Sequence, residues 1–343
     1  MSDSEKKGLN EFKSAIKPYT LERLEKKPRE NYVSILILRE LKSAARFTTD
    51  GIEANSAVIR INGIEETLGK LFGRKQVASD RRKAKALQRT LITEEMSKII
   101  GEGGWNGCTM KVNEMCQKCP ECALFGSAAS EEGISITSRA MYDEAYTIRA
   151  LSAIVEEFFQ NAPGDEYAKE PTPSIREPDF FKEGTLFPCV VTLKDVTVEE
   201  VLFFLNITDR NSRYGATGSR FGKTQNHLLG IYASHREGPS SLEVSKEIAI
   251  MLAKQGLDEH DQDYREKVVE RLKEVMYRDT LSVDEIKTMA ITAFESLSNR
   301  QRIDYLKFDT TYCLNILEDI RDDLIVKSIL LDQIAKIGTF LSA

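Results

Sequence analysis

Residues 30–41 have the sequence ENYVSILILREL, a short apolar run rich in residues that favour strands. A polar segment that contains Pro28 precedes it. Short apolar runs with this composition and a breaker before them are typical of strands that are buried in a core. We therefore predict that residues 30–41 form a buried strand that opens the hydrophobic core.

Other strands are predicted on both sides of a basic helix. Residues 55–64 (NSAVIRINGI), 133–148 (GISITSRAMYDEAYTI) and 185–196 (TLFPCVVTLKDV) have the alternation or the apolar content of strands. Residues 79–100 have helical character. This interleaving predicts an α+β protein whose core is a modified ferredoxin-like or RNA-recognition-motif sheet, interrupted by insertions.

Helix starts are indicated by capping residues. Ser79 or Asp80 is available as the N-cap of the basic helix, and Thr197 precedes a second helix with acidic residues in its first turn. From about Ser241 onward, apolar residues recur at spacings of three and four. This spacing predicts a succession of amphipathic helices up to the last residues.

The formal net charge of −6 argues at first against a polyanionic partner, but the charge is unevenly distributed. Residues 70–89 contain eight Lys or Arg residues and one acidic residue, whereas Asp and Glu are frequent after residue 240. A basic surface can therefore still neutralise phosphates. No apolar stretch approaches the roughly 20 residues that span a bilayer. The polar first residues lack the apolar run of a signal peptide, so we expect a cytoplasmic protein without a membrane segment.

The order of the elements predicts a core with insertions. We expect the core to comprise residues 28–92 and 134–236, with a cysteine-containing insertion over 93–133 and a helical region over 240–343. Residues 149–184 contain four prolines and many charges. This composition predicts an arm that protrudes from the core.

Four of the six cysteines lie within fifteen positions, with the spacing C-x7-C-x2-C-x2-C. They are Cys108, Cys116, Cys119 and Cys122. Four thiolates close a tetrahedral shell around Zn(II), and two-residue spacings let neighbouring sulfurs converge. We predict a structural zinc site, with an iron–sulfur cluster, four reduced structural thiols or a mixed or incomplete site as alternatives. Cys189 and Cys313 lie in apolar segments and are predicted to be core residues.

A glycine-rich, basic segment covers residues 211–232, NSRYGATGSRFGKTQNHLLGIY. Glycines let a backbone approach phosphates, cations neutralise them, and aromatic rings stack on unpaired bases. The segment therefore predicts binding of single-stranded nucleic acid, with a charged turn between a helix and a strand as the alternative. The Lys and Arg residues at the start of the basic helix predict a second binding element, for which a solvated face is the alternative.

Three stretches together resemble a known family. They are SRAMYDEAYTI (residues 138–148), FFKEGTLFPCVV (180–191) and RYGATGSRFGK (213–223), in that order along the chain. The repeat-associated RNA-binding (RAMP) superfamily of CRISPR systems has similar elements in the same order. Within it, residues 30–236 are similar to the backbone subunits of type I-D effector complexes (Cascade).

The resemblance implies a modified RNA-recognition fold with a zinc knuckle and a thumb over residues 150–182. It also implies that copies of the chain assemble head to tail along one CRISPR RNA, with other effector-complex subunits. The guide RNA is then displayed to a target DNA or RNA strand in antiviral defence.

By the same resemblance, the basic helix and the glycine-rich loop form a cleft that holds the RNA backbone. Ser219 and Arg220 match the loop of the relatives. The predicted RNA-binding residues are Arg81, Arg82, Lys83, Lys85, Arg213, Tyr214, Arg220, Phe221 and Lys223. Ordinary core packing is the alternative for the two aromatic rings.

Related backbone subunits of type III complexes cleave target RNA with an acidic residue in the loop after the first strand. The corresponding loop here, ARFTTDGIEANS over residues 45–56, offers Asp50 and Glu53. No second carboxylate or histidine stands at a diagnostic spacing, so we predict a binding protein. Metal-dependent cleavage of the paired target strand, with Asp50 as the candidate catalytic residue, remains an alternative. A free-standing zinc-containing RNA-binding protein is a further alternative.

Overall fold

The computed structural model describes residues 3–49, 51–100, 108–128, 135–160 and 175–342. The strands are β1 (Tyr32–Leu41), β2 (Ser56–Ile61), β3 (Ile64–Leu71), β4 (Ala140–Tyr142), β5 (Ala145–Ala150), β6 (Val155–Gln160), β7 (Ile175–Phe181), β8 (Leu186–Lys194), β9 (Thr224–Ser234) and β10 (Leu306–Phe308). The helices are α1 (Asp3–Ile16), α2 (Gly73–Leu91), α3 (Thr93–Ile100), α4 (Pro120–Phe125), α5 (Leu151–Ile154), α6 (Val198–Arg210), α7 (Ser241–Lys254), α8 (Tyr264–Met276), α9 (Val283–Arg300), α10 (Thr310–Ile320) and α11 (Asp323–Ser342). Antiparallel sheets combined with helices confirm the predicted α+β class.

Strand β1 lies at the centre of a five-stranded sheet with the order β10-β9-β1-β8-β4. It pairs antiparallel with β8 and with β9, so that Ile35 lies opposite Val191 on one side and Ile231 on the other. Every residue from Val33 to Leu41 is buried, which confirms the buried strand predicted over residues 30–41.

Alternate side chains of β1 enter two separate cores. Val33, Ile35 and Ile37 pack in a core that includes residues of α1, α6, α10 and α11. Leu36 and Leu38 pack in a core that includes residues of α7, α8 and α9. The apolar run of β1 is continuous because both faces of the strand are covered by helices.

A second sheet contains β2, β3 and β5 in the order β2-β3-β5. Asn62 and Gly63 join β2 to β3 with φ values of +46° and +88°. The single strand predicted over residues 55–64 is therefore wrong after Ile61. An Asn-Gly pair favours a two-residue hairpin turn, because both positions tolerate positive φ.

Helix α2 begins at Gly73, six residues before the predicted start of the basic helix. The N-cap predicted at Ser79 or Asp80 is wrong, because both residues lie inside α2 and are buried. Their side chains form hydrogen bonds with residues distant in sequence and do not cap the end of the helix. Thr197 does cap α6, as predicted, and the structure adds a reciprocal capping box with Glu200.

Helices α7 to α11 occupy most of the described chain after residue 240, in agreement with the apolar spacing. The short strand β10 lies among them and pairs with β9 at an edge of the main sheet. Strands β6 and β7 pair antiparallel within the predicted arm, and residues 161–174 between them lie outside the described residues. No helix in the described part of the chain has the length and apolar character needed to span a bilayer.

Candidate functional site

Helix α2 and the loop between α6 and β9 line one open cleft of about 400 Å³. The residues that line it are Ser79, Arg82, Lys83, Ala86, Asn211, Ser212, Arg213, Gly215 and Gly218. Three of these are cations, and none of these described lining residues carries a carboxylate. Two basic elements that are far apart in the sequence therefore share one electropositive cleft.

The buried carboxylate of Asp80 attaches the loop to α2. It accepts hydrogen bonds from the hydroxyl groups of Tyr214 and Tyr142, both at 2.7 Å, and from the side-chain amide of Asn211 at 2.6 Å. The neighbouring Ser79 hydroxyl donates to the backbone carbonyl of Arg213. These bonds set the position of the loop relative to the helix on the floor of the cleft.

Arg39 of β1 is the cation of this network. Its side chain is fully buried, and its Nη2 lies 3.7 Å from Oδ2 of Asp80. The guanidinium lies over the ring of Tyr214, 4.4 Å from the centroid, and donates to Oδ1 of Asn226 at 2.8 Å. Burial raises the pKa of Tyr214 above its ordinary value, which keeps its hydroxyl protonated as a donor to Asp80. Arg39, one of two charged residues that interrupt the apolar run over residues 32–41, was the sequence signal for this network, and it was missed.

Two glycines of the loop have positive φ values and leave no room for a Cβ atom. Gly215 and Gly222 have φ values of +92° and +75°. A Cβ atom at Gly222 would lie 2.0 Å from the carbonyl oxygen of Tyr214, and one at Gly215 would lie 2.6 Å from the carbonyl oxygen of Arg46. The loop therefore follows its path only with glycine at these positions.

The remaining loop residues named as RNA contacts lie apart from the cleft lining. Arg220 is exposed, and its guanidinium lies 5.3 Å from the ring centroid of Phe221. Phe221 is half-buried and packs against the ring of Phe180 in β7, at a centroid distance of 4.9 Å. Lys223 is exposed and lines a second groove of about 660 Å³, which also contains Lys42.

The side chains of three other predicted RNA-binding residues contact other parts of the protein instead. Tyr214 is 1% exposed, so its ring is not available for stacking on a base in this structure. Lys85 is buried beside the cysteines, and Arg81 pairs with the buried carboxylate of Glu121. Arg82, Lys83 and Arg213 are the predicted residues that line the cleft.

The four clustered cysteines converge as the sequence predicted. Their sulfur atoms all lie within 4.8 Å of one another, and Sγ of Cys108 lies 3.8 Å from Sγ of Cys122. A tetrahedral zinc with Zn–S bonds of about 2.3 Å requires sulfur–sulfur distances of about 3.8 Å. The donor set and its spacing therefore fit Zn(II) held by Cys108, Cys116, Cys119 and Cys122, with no position left for a water ligand.

Local backbone structure brings the sulfurs together. Cys119 is the N-cap of α4, and Pro120 occupies the first helical position. Proline is tolerated there because a backbone N–H at this position has no partner within the helix. The backbone N–H of Cys122 donates to Sγ of Cys119 at 3.5 Å, and that of Cys116 donates to Sγ of Cys108 at 3.3 Å. Such N–H donors stabilise thiolates, which are the form that binds a metal.

The charges around the cluster favour a thiolate. Hydrogen bonds from Cys116, Cys119 and Cys122 lower the pKa of Cys108 well below its ordinary value. Burial on its own would lower the pKa of Lys85, but the adjacent cysteine sulfurs and the carboxylate of Glu121 outweigh burial and raise it, whereas burial raises the pKa of Cys119 above its ordinary value. A cationic Lys85 beside an anionic sulfur is the stable combination at neutral pH.

Cys189 and Cys313 are buried at 1% and 0% exposure, in agreement with the predicted core positions. Burial raises the pKa of Cys189 to about 11 and that of Cys313 to about 12. Asp50, the candidate catalytic residue, lies outside the described residues, and Glu53 is exposed. Cleavage of a target strand therefore stays an untested alternative to the predicted binding function.

The fold and the site define an α+β protein with a cationic cleft and a tetracysteine cluster. The chain belongs to the Csc2 Crispr family, whose sequence profile matches residues 16–320.

One solved structure agrees in fold. The crystal structure of Thermofilum pendens Csc2 is similar with a TM-score of 0.57 and 16% identity, over 95% of this chain and 94% of that chain. A chain of a CRISPR RNA-guided surveillance complex aligns with a TM-score of 0.49 and 11% identity, over 84% of this chain and 98% of that chain. A search of curated protein sequences finds no match.

Proposed function

We propose that this chain is an RNA-binding backbone subunit of a type I-D CRISPR effector complex (Cascade), acting in the cytoplasm in antiviral defence. Copies of the chain polymerise along CRISPR RNA beside other subunits, and they display the guide for pairing with a target DNA or RNA strand. Membership of the Csc2 Crispr family supports the CRISPR role.

The proposed division of the chain follows from this function. Residues 28–92 and 134–236 form a modified ferredoxin-like core that carries both sides of the cleft. Residues 150–182 form a thumb, and the pairing of β6 with β7 supports an extended hairpin at its base. Residues 93–133 form a zinc knuckle, and residues 240–343 form a helical region whose helices pack on both faces of the main sheet.

The single observation that carries the RNA-binding proposal is the shared cleft of α2 and the glycine-rich loop. Arg82 and Lys83 come from α2 and Arg213 comes from the loop, and all three line it. Backbone phosphates of a single strand are recognised by cations of this kind regardless of base sequence. Open space at Gly218, where an added Cβ would meet no atom within 4 Å, lets a strand approach the loop closely.

The salt dependence of RNA binding tests this proposal quantitatively. Each phosphate contact with a single strand contributes about −0.7 to the slope of log K against log salt concentration. We expect the triple variant Arg82→Ala, Lys83→Ala, Arg213→Ala to lower the magnitude of this slope by about 2. Fluorescence anisotropy with a labelled single-stranded RNA, measured over a series of KCl concentrations, gives the slope directly.

A matched control removes three exposed cations away from the cleft. Lys26→Ala, Lys27→Ala, Arg60→Ala makes the same change in net charge, and Arg60 has 73% of its side chain exposed. The control should keep the wild-type slope. Equal slopes for the cleft variant and the wild type would rule out the cleft as the phosphate-binding surface.

The nucleic acid that accompanies the native protein separates a complex subunit from a free-standing RNA-binding protein. The proposed function requires short CRISPR RNA and partner subunits to co-purify with the chain. Sequencing of the bound RNA identifies the guide by its repeat-derived ends. Isolation from the native host as an RNA-free monomer would instead support the free-standing protein.

A further inference from the structure

Helix α2 carries its cations on two faces that serve different neighbours. Arg81, Lys85 and Arg89 are spaced by four residues and therefore lie along one side of the helix. That side faces the cysteine segment, since Arg89 donates to the backbone carbonyl of Cys108 at 3.0 Å. A single helix therefore contacts the cysteine cluster on one side and lines the cleft on the other.

Lys85 makes the most direct contact with the cysteine cluster. Its side chain is 4% exposed, and its Nζ lies 2.7 Å from Sγ of Cys108, 3.5 Å from Sγ of Cys122 and 3.7 Å from Sγ of Cys119. The ammonium thus lies against three of the four sulfurs. An ammonium at this position donates charge-assisted N–H···S hydrogen bonds to metal-bound thiolates.

Glu121 links the same ammonium to a second cation of α2. This carboxylate is fully buried, with one oxygen 2.6 Å from Nζ of Lys85 and the other bonded to Nε of Arg81. Arg81 also donates to the backbone carbonyl of Gly126 at 2.9 Å. The cysteine segment is therefore attached to α2 by a buried network of charges.

The charge balance of this network depends on the metal. Four thiolates and one Zn(II) have a formal charge of −2, which a buried site must offset. The ammonium of Lys85 lies against three of the four sulfurs and would offset part of that charge, so metal-bound thiolates would hold Lys85 in its observed position.

We propose that Lys85 is a positioning residue that couples the metal centre to the nucleic-acid cleft. Metal-bound thiolates hold the ammonium of Lys85, and this holds α2 in the orientation that places Arg82 and Lys83 in the cleft. The coupling rests on the proposed function of the cleft, whereas the contact between Lys85 and the metal-bound sulfurs does not.

Replacement of zinc by Co(II) tests the contact without any nucleic acid. Sulfur-to-cobalt charge-transfer bands report on electron density at the thiolates, which an N–H···S hydrogen bond lowers. We expect Lys85→Met to shift these bands to longer wavelength and to weaken metal binding about 10–100-fold, as loss of an outer-shell partner does. Lys85→Arg keeps a cationic donor and should recover part of the shift, and Lys98→Met, an exposed site on α3, should leave the spectrum unchanged.

Linkage tests the coupling in the full-length wild-type protein. If metal and single-stranded RNA stabilise the same orientation of α2, saturating RNA must raise the zinc affinity measured by equilibrium competition with a chromogenic chelator, and zinc removal must weaken RNA binding by the same factor. Both effects should be smaller in Lys85→Met. The wild-type measurement remains decisive even if that variant fails to fold.

Two outcomes overturn the proposal, and they differ from failure of the proposed function. Unchanged cobalt bands and metal affinity in Lys85→Met would refute the contact. Shifted bands together with a zinc affinity that RNA leaves unchanged would refute the coupling. If instead the cleft variant Arg82→Ala, Lys83→Ala, Arg213→Ala keeps the wild-type salt slope, the proposed function fails while the cobalt result stands.

Discussion

Removal of the Asp80 carboxylate should destabilise the whole fold as well as the cleft. Asp80 is fully buried and accepts three hydrogen bonds from Tyr142, Tyr214 and Asn211. It is also the carboxylate that faces the fully buried guanidinium of Arg39. Asp80→Ala therefore leaves a buried cation without its counter-ion and removes the acceptor of three hydrogen bonds.

The expected loss is large because the remaining charge cannot reach water. Removal of one partner of a buried ion pair costs about 3–5 kcal/mol. The entropy of unfolding is about 2.1 cal/mol/K per residue, which gives about 0.7 kcal/mol/K for 343 residues. The melting temperature of Asp80→Ala should accordingly fall by about 4–7 °C.

Thermal unfolding of the nucleic-acid-free protein, followed by circular dichroism, measures this loss. Asp332→Ala, an exposed position on α11, is the matched control and should change stability by no more than about 0.5 kcal/mol. The double variant Asp80→Ala, Arg39→Met should recover part of the loss, because it removes the uncompensated charge. A decrease of less than about 1.5 °C for Asp80→Ala, or a double variant less stable than the single one, would refute this reasoning.

Two further predictions concern the loop and the possible nuclease activity. Gly222→Ala should lower both the melting temperature and the RNA affinity, because its Cβ would lie 2.0 Å from the Tyr214 carbonyl oxygen. The control Gly218→Ala should fold normally, because its Cβ would meet no atom within 4 Å. Equal melting temperatures for the two variants would contradict the loop geometry. Asp50→Ala should abolish any Mg(II)-dependent cleavage of guide-paired single strands by the assembled complex, and gel electrophoresis of end-labelled targets detects it. Identical cleavage by wild type and variant would exclude Asp50 as the catalytic residue.

Local features of this chain were predictable from sequence. The apolar run over residues 30–41 identified the central strand, and Thr197 with Glu200 identified the start of α6. The cysteines that converge lie within fifteen positions, so a short stretch of chain contained the whole donor set. In each case the residues that interact are close in sequence, or their burial follows from their composition alone.

Predictions failed where a residue has two physically reasonable environments. Ser79 and Asp80 have the chemistry of N-caps, but tertiary hydrogen bonds to residues more than 130 positions away hold them inside α2. Lys85 has the same charge as Lys83, yet it faces the cysteines while Lys83 faces the cleft. Composition identifies a cation but does not specify which anion it meets.

The sequence alone thus determined the α+β class, the central strand, the cysteine cluster and the presence of two basic elements. Only the tertiary structure decided that those elements share one cleft, and which of their cations face it. Packing of α2 between the cysteine segment and the loop fixes the rotation of the helix about its axis. The buried Arg39–Asp80 network then fixes the loop, because neither charge is stable in the core without the other.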